Sequence, residues 1–434
     1  MATCRWVGAS LNRKKTDTLA ITGAGATNDT ITLTIDNVDF VITVGGTTTT
    51  AGIATTVQQA FSGTTLTDTT ASSTIPVADG GAGLIPQFSE YTATVSSSTV
   101  TFTSNGSGAL AGKPITMSGA KSGTVTITYT PNVIAPTSQY HADQVDNYAG
   151  NALPTGGSDT LVFDNGSVDV RWGLDYATTL TNITKYKAYT GNVGLSEVNS
   201  DNSAKPYHEY RTTYLTCTGC TTANLEVGEG PGSSRFKLNT GSGQSAINIF
   251  GKGSRAESGV PCILWRGTHA SNTMTNYAGD VGVAFFGGES ATLATLVSGD
   301  GPQSAASTIC GTGTTLTTVR VNGGTMVTQS AVTTATQYAG TWDHFSGTVG
   351  TLNLLGGTFS PRAALTITNS SIYGKLDLSK TSGTITFTNL VQVYPGAEIY
   401  DPNGKATFSA GYKINGIPGS VKVSRPAGDT ITYS

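Results

Sequence analysis

The chain has 434 residues and a net charge of −3, and only 12% of its residues are charged, about half the share of an average soluble protein. This charge excludes the basic footprint that nucleic-acid binding needs. Disorder is excluded as well, because 17 Tyr, 13 Phe and 4 Trp accompany many β-branched residues, and disordered chains are poor in both. The 55 Gly and the abundant Thr and Ser are typical of strands joined by tight turns.

Residues 1–14 contain CRWVGAS, which predicts a short strand anchored by Trp6. MATCRWVGASLNRKK has no apolar run of signal-peptide length, so we expect the chain to be made and folded in a cytoplasm. No apolar stretch is long enough for a membrane-spanning helix, so no membrane partner is expected. The five cysteines are scattered and odd in number, which argues against a disulfide framework.

Residues 15–135 are predicted to form a small α+β module. The segments DTLAITG and NDTITLTIDNVDFVITVGG indicate strands, with Asp36-Asn37 as a hairpin turn. A helix is predicted in TTTTAGIATTVQQAFSG, where the Thr run offers an N-cap and Gly63 a stop. Its apolar face consists of residues four apart: Ile53, Val57 and Phe61.

The rest of the chain predicts a coil of short strands. Residues 136–214 are interpreted as a linker and solenoid entry, and residues 401–434 as a β cap or oligomer contact. Between them, residues 215–400 repeat short alternating segments closed by turn residues, with no helical period. The most regular pairs are Thr317-Val319-Val321, Leu352-Leu354, Leu365-Ile367, Leu376-Leu378 and Ile385-Phe387. The fold class is therefore predicted to be mainly β, a right-handed parallel β-helix with an α+β N-terminal module.

Two parts of the chain resemble known virion proteins. TITLTIDNVDFVITVGGTTTTAGIATTVQQAFSG followed by EYTATVSSSTVTFTSN is similar to a hairpin–helix–hairpin module of tailed-bacteriophage virion proteins. Trp6-Val7-Gly8, together with Pro154 to Phe163, looks like the opening of phage and cell-surface β-solenoid proteins, in which the first rung forms at this point. The resemblance implies that the α+β module is inserted into the entry of the solenoid. It implies a virion structural protein and carries no catalytic residue across.

Three groups of residues are candidates for chemistry. Cys217 and Cys220 form a CxxC motif, which could be half a zinc site or a redox pair, or two packing residues beside a turn. His208-Glu209 and Asp343-His344 could be acid–base pairs, although loop-like surroundings favour surface histidines. A glycan-cleaving solenoid would need two carboxylates on one face. The candidates are thinly spread: Glu226, Glu229, Asp377 and Glu398.

Neither the motifs nor the composition indicates an enzyme, a cofactor or a metal. The Gly-rich segments GEGPGSSR and GDGPQSA lack the Lys-Ser/Thr of a phosphate-binding loop. A Tyr-rich segment could be a surface that contacts sugar or protein, or a layer that caps the first rung. Its members are Tyr186, Tyr189, Tyr207, Tyr210 and Tyr214.

Taken together, these features predict a non-enzymatic virion protein that is assembled in the host cytoplasm. We expect a capsid decoration, cement or head-fibre protein that forms a homotrimer and binds the major capsid protein or other virion proteins. The alternative is a tail spike or receptor-binding adhesin that recognises a host surface polysaccharide. A bacterial surface adhesin is a third hypothesis, against which the lack of a signal peptide argues.

Overall fold

The protein is mainly β, with 47% of residues in strands and 7% in helices. The computed structural model describes residues 3–426 apart from these positions: 11–13, 36, 86, 106–116, 135–141, 143–144, 152–153, 155–157, 172, 175–179, 197–211, 227–233, 252–258, 302–305 and 418. Two hydrophobic cores are present in the described part. One belongs to an antiparallel α+β module, and the other fills a long parallel coil.

The α+β module contains two four-stranded antiparallel sheets. Its strands are β2 (Thr16–Gly23), β3 (Thr30–Ile35), β4 (Val38–Thr43), β5 (Ser72–Ser73), β6 (Tyr91–Ser96), β7 (Thr99–Ser104), β8 (Met117–Ser122) and β9 (Thr126–Ile134). The orders are β6-β7-β2-β9 and β5-β4-β3-β8. Pairing of Ile35 with Val38 leaves two residues for the β3–β4 turn, where Asn37 has a φ of 63°. This fits the predicted hairpin, although Asp36 lies outside the described residues.

The module's one α-helix, α1 (Thr50–Ser62), packs onto the sheet that contains β6, β7 and β2. Its predicted face is confirmed, because Ile53, Val57 and Phe61 are all buried. The predicted ends are confirmed too. The Thr49 side chain accepts a hydrogen bond from Gly52 N, and Gly63 ends the helix in the left-handed region. Short 3₁₀ helices lie elsewhere in the chain, at Val77–Asp79, Gly81–Leu84, Phe88–Glu90, Val145–Asn147 and Ala149–Asn151.

Two parallel sheets form the coil, as expected for a β-solenoid. The first sheet has 15 strands. They are β1 (Thr3–Arg5), β10 (Thr160–Phe163), β11 (Asn182–Lys185), β13 (Thr222–Leu225), β15 (Ala246–Ile249), β17 (Thr273–Asn276), β19 (Ala291–Ser298), β21 (Thr314–Val321), β23 (Val332–Gln337), β25 (Val349–Leu354), β27 (Leu365–Ile372), β29 (Ile385–Phe387), β30 (Val391–Val393), β32 (Ala406–Phe408) and β33 (Tyr412–Ile414).

The second sheet has 11 strands, and from β11 to β29 successive strands belong alternately to the first and second sheets. They are β12 (Leu215–Thr216), β14 (Phe236–Asn239), β16 (Ile263–Arg266), β18 (Asp280–Val283), β20 (Ser307–Cys310), β22 (Thr325–Thr328), β24 (Thr341–His344), β26 (Thr358–Pro361), β28 (Lys375–Asp377), β31 (Glu398–Tyr400) and β34 (Lys422–Ser424). Because the chain passes from the first sheet to the second and back in each such rung, the two sheets enclose a continuous apolar core.

The coil begins before the antiparallel module and resumes after it. Strand β1 pairs in parallel with β10, with Cys4 opposite Leu161. Trp6 extends this contact. Its backbone N–H donates to Val162 O, and the centroid of its ring lies 6.4 Å from that of Phe163. The module therefore lies in sequence between two hydrogen-bonded strands of the coil. The segment 136–214, predicted as a linker and solenoid entry, contains β10 and β11 of the first sheet, and β1 of the same sheet precedes the module.

The long strands of the first sheet, β19 to β27, each contain two successive outward residues, which indicates a corner in these rungs. In β21, Leu316 and Val319 are buried, but the two residues between them, Thr317 and Thr318, lie outside the core. Two successive outward residues interrupt the period of two, as at a corner. Further along the chain the same corner separates β29 from β30. Thr317 is therefore exposed, whereas Val319 and Val321 are buried, so the three residues predicted to share one side of a strand do not do so.

Rung length is shortest in the middle of the coil. Thr325 is paired with Thr341, and Thr341 is paired with Thr358, so successive rungs here are 16 and 17 residues long. Parallel pairing continues past residue 400, because β31 pairs with β34. The predicted terminal segment 401–434 thus adds a further rung as far as Ser424, and residues 427–434 lie outside the described part.

Candidate functional site

His344 lies inside the coil, whereas the neighbouring Asp343 lies outside. Both belong to β24, in which successive side chains point to opposite faces. Asp343 pairs on the surface with Arg362 at 2.6 Å, and His344 is completely buried. The two side chains therefore cannot act as an acid–base pair. The expectation that His344 is a surface residue in a loop is also wrong.

A closed hydrogen-bond chain fixes the state of His344. Its Nε2 faces Gly347 O at 3.1 Å, and its Nδ1 faces Thr328 Oγ1 at 2.7 Å. Because a carbonyl only accepts, Nε2 carries the proton and Nδ1 accepts from the Thr328 hydroxyl. This leaves Thr328 Oγ1 free to accept from Trp342 Nε1 at 2.8 Å. Burial lowers the pKa of His344, so the ring is a neutral core residue.

The other predicted histidine pair lies outside the described residues, as does His141. His269 is a turn residue, whose Nδ1 accepts a hydrogen bond from Ser271 N at 3.1 Å. No described histidine is thus placed beside a carboxylate in a manner that suggests acid–base chemistry.

Cys217 and Cys220 are core residues on either side of a turn. Both are fully buried, and both are free thiols. Burial raises the pKa of Cys220 to about 12 and also raises the pKa of Cys217. The reactive, metal-binding thiolate is therefore disfavoured at both positions. Within the described residues, no group of three or more His, Cys, Asp or Glu is arranged to hold a metal ion.

The coil brings two of the four candidate carboxylates onto one face. Asp377 and Glu398 lie on the neighbouring strands β28 and β31 of the second sheet. Lys375 joins them, with its Nζ 3.8 Å from Asp377 Oδ2 and 3.6 Å from Glu398 Oε1. Glu398 also pairs with Lys422 at 3.2 Å. Glu226 is not part of this cluster, since its carboxylate accepts from Lys187 N, and Glu229 lies outside the described residues.

Asp377 is poorly suited to be the acid of a glycosidase. Partial burial acts to raise the pKa of Asp377, but hydrogen bonds from Ser379 and the charge of Lys375 outweigh this effect and lower that pKa. A general acid in a retaining or inverting mechanism needs a raised pKa. The Asp377–Lys375–Glu398 group is therefore an ion-pair cluster on the outer face.

The predicted tyrosine surface is only partly a surface. Tyr189 and Tyr214 are each 1% exposed, whereas Tyr186 is 44% exposed. Their rings cover buried ammonium groups: Lys185 Nζ lies 5.6 Å from the Tyr189 ring centroid, and Lys237 Nζ lies 4.4 Å from that of Tyr214. Tyr189 and Tyr214 are therefore buried residues and do not form a surface, and the capping alternative stays a prediction. Tyr207 and Tyr210 lie outside the described residues.

Tyr186 belongs instead to a column of large side chains along one outer edge of the coil, which we call the aromatic ladder. Each member directly follows the last residue of a first-sheet strand. In the four C-terminal rungs of the ladder, the backbone N–H of each member donates to the preceding rung at 2.7 to 2.9 Å. The members are Tyr186, Phe250, Tyr277, Tyr338, Leu355, Tyr373 and Tyr394. They form three groups, because Glu226 occupies this position on the rung between Tyr186 and Phe250, and Gly299 and Asn322 occupy it on the two rungs between Tyr277 and Tyr338. Of the seven, only Tyr186 belongs to the Tyr-rich segment predicted as a surface.

Two pairs of neighbouring rings in the ladder are stacked. Phe250 and Tyr277 lie 4.7 Å apart with an interplanar angle of 8°, and Tyr373 and Tyr394 lie 4.0 Å apart at 3°. Arg320 lies over the ring of Tyr338 at 4.8 Å. In these two pairs, stacking covers the facing sides of the rings and leaves their edges and the tyrosine hydroxyls available for contacts. The ladder is the described surface best suited to contact another molecule.

Comparisons of the chain with protein-family models, with curated proteins and with solved structures found no match. In the described part of the chain, no helix has the length and apolar character needed to cross a membrane.

Proposed function

We propose that the chain is a non-catalytic structural protein of a tailed-bacteriophage particle, a decoration, cement or head-fibre protein that binds the capsid shell. The observation that carries this proposal is the chemical character of the coil. Its outward residues in β21, β23 and β25 are mostly Thr, Gly and Asn. Further along the coil, charged side chains form ion pairs with one another, as Asp343 does with Arg362 and Glu398 with Lys422.

A rigid coil of this kind acts by shape. Each rung is hydrogen-bonded to the next in parallel register, and the core beneath contains Trp342, Phe359 and Leu376 in one inward column. Such a body does not change shape on contact, so little conformational entropy is lost when it binds. In this proposal three copies stand side by side, and the α+β module serves as the shell anchor or the distal knob.

Copy number tests the proposal. Quantitative mass spectrometry of purified particles should find this chain at a number comparable to that of the major capsid protein. A number an order of magnitude lower would instead fit a tail fibre or spike. Absence of the chain from purified particles would overturn the virion assignment.

A tail spike or receptor-binding adhesin is the second candidate, and one observation favours it. Asp377 and Glu398 share Lys375 on the outer face of the second sheet, and Tyr400 lies beside Asp377 on the next strand. Carboxylates and an aromatic ring on one face are typical of polysaccharide-binding surfaces. Glycan binding that is lost in Asp377→Asn and Glu398→Gln, and retained in the control Asp343→Asn, would select this function over capsid decoration.

A further inference from the structure

The aromatic ladder concentrates the exposed apolar surface of the coil. Twelve large hydrophobic side chains are exposed in the described part of the chain, and five of them belong to the ladder. Single exposed apolar residues are ordinary, but exposed apolar residues on successive rungs, as at Tyr338, Leu355 and Tyr373, indicate an interaction surface. The five are Tyr186, Phe250, Tyr338, Leu355 and Tyr373.

We propose that the aromatic ladder is a self-association surface, and that its occupant is the ladder of a second copy of this chain. This inference deepens the proposed structural function, because it names the partner that packs beside each coil. It is carried by three features of the ladder: the direction of its rings, its periodicity and its area.

Ring direction favours a protein partner over a sugar. A sugar ring packs its C–H groups against an aromatic face, but the faces of Tyr373 and Tyr394 cover each other at 4.0 Å. Ring edges and hydroxyls remain available, and these groups pack and hydrogen-bond well in protein interfaces. Arg320 covers Tyr338 in a similar way.

Periodicity favours another coil of the same kind. Neighbouring rungs of a parallel sheet are about 4.8 Å apart, so the members from Tyr338 to Tyr394 recur at one constant rise. A partner with a different spacing would lose register after one or two contacts. A second copy has the same rise and can match each rung along the ladder.

The exposed area of the ladder supplies about half of what a stable interface needs. Aromatic side chains offer about 150–250 Å² each when fully buried, and the five most exposed ladder residues are 39% to 46% exposed. The seven members together therefore supply roughly 400 Å² or more, about half of the roughly 800 Å² per partner of a standard interface. The flanking Thr, Asn and Ser columns can supply the remainder.

The test is the mass of the recombinant chain in solution, measured by sedimentation velocity and light scattering over a range of concentrations. The wild-type chain should self-associate. The double variant Tyr338→Ser/Tyr373→Ser should weaken self-association about tenfold or more. The matched control, Phe345→Ser/Leu390→Ser, removes apolar side chains of similar exposure, 43% and 41%, outside the ladder and should behave like the wild type.

A second pair of variants keeps the test valid if the loss of the rings unfolds the coil. Leu355→Cys places a thiol between Tyr338 and Tyr373 without removing a ring, and all five native cysteines are buried. Under mild oxidation this variant should form an intermolecular disulfide, and Phe345→Cys should not.

Two results would overturn the inference: a wild-type chain that stays monomeric, or equal cross-linking of Leu355→Cys and Phe345→Cys. A monomer whose tyrosine fluorescence responds to host polysaccharide would reassign the ladder to glycan binding. Because no virion is involved, these outcomes are independent of the copy-number test.

Discussion

Neutral His344 illustrates how a polar residue becomes part of an apolar core. Its two ring nitrogens have partners in Thr328 and Gly347, and Thr328 in turn accepts from Trp342. A buried polar group is tolerated when it is hydrogen-bonded, and it is costly when one partner is removed. The hydrogen-bond chain depends on Thr328, because its single hydroxyl donates to His344 Nδ1 and accepts from Trp342 Nε1.

Replacing Thr328 with Val is therefore expected to lower the free energy of unfolding by about 2–4 kcal/mol. The side-chain volume hardly changes, but the buried His344 Nδ1 and Trp342 Nε1 both lose their hydrogen-bond partner. Denaturant unfolding followed by circular dichroism measures the effect. The control Thr341→Val makes the same chemical change on the outer face of the same sheet, where about 0.5 kcal/mol or less is expected. Equal losses in the two variants would contradict the role of the network.

Asp29 shows how one carboxylate can organise a turn. Its Oδ2 accepts from the backbone N–H groups of Ala26, Thr124 and Val125. The backbone hydrogen bond from Ala26 is the main cause that lowers the pKa of Asp29 to about 2. A lowered folded-state pKa stabilises the protein above the ordinary pKa of an aspartate, and this contribution is lost as the pH falls toward 2.

Asp29→Asn should accordingly lower the melting temperature of the module at pH 6, and the difference from wild type should shrink as the pH is reduced from 4 to 2.5. Differential scanning calorimetry at both ends of this range checks the result. Asp39→Asn is the control, because Asp39 accepts only an exposed side-chain hydrogen bond, from Thr34. A difference for Asp29→Asn that does not change with pH would argue against a charged Asp29 as its cause.

At the scale of elements, helix α1 was predictable because all of its signals are local. The Thr N-cap, the apolar residues four apart and the terminal Gly63 all lie within one short segment. Gly63 also has a tertiary role that its sequence position does not reveal. It has a φ of 64°, and a Cβ there would lie 2.5 Å from Gly80 O.

Gly63→Ala is expected to destabilise the module by about 1–3 kcal/mol, since Ala is strained in the left-handed region and would also push against Gly80. Gly83→Ala is the matched control, because nothing lies within 4 Å of a Cβ at that position. Thermal unfolding of both variants should give a clearly lower melting temperature for Gly63→Ala alone. A loss of similar size in Gly83→Ala would mean that the backbone conformation of Gly63 is not the cause.

The strands and their parallel coil were predictable, but alternation alone reveals neither the corners nor which distant strands are neighbours. Alternation gives the buried side of a short strand such as β25, where Leu352 and Leu354 both point inward. It does not mark a corner, because the paired outward residues Thr317 and Thr318 look like an ordinary polar step. It also gives no indication that β1 and β10, more than a hundred residues apart, are neighbours.

At the scale of the whole molecule, the aromatic ladder depends on the strand register of every rung, which the sequence alone does not reveal. Tyr338, Leu355, Tyr373 and Tyr394 are separated by unequal numbers of residues, because loops of different length join the strands. A column on a solenoid becomes visible only when the register of every rung is known. One local signal was present: in each of the four, a large residue follows a buried strand end and precedes a glycine turn.

Two separate cores predict that the chain unfolds in two steps. The module's strands β2 and β9 pair at their outer ends, with Thr16 opposite Ile134, so the inserted unit leaves and re-enters the coil at adjacent points. Because its core contains no residue of the coil's core, residues 14–134 should fold without the rest of the chain. Calorimetry of the full chain should show two transitions, and the isolated module should reproduce one of them within a few degrees.

Core variants assign each transition to its unit. Leu33→Ala in the module and Leu352→Ala in the coil both truncate completely buried leucines, and each should cost about 2–5 kcal/mol. If the units are thermodynamically independent, each substitution lowers one transition and leaves the other in place. A single cooperative transition that both substitutions shift would show instead that the inserted module and the coil unfold as one body, and the module could then not be transplanted without the solenoid that carries it.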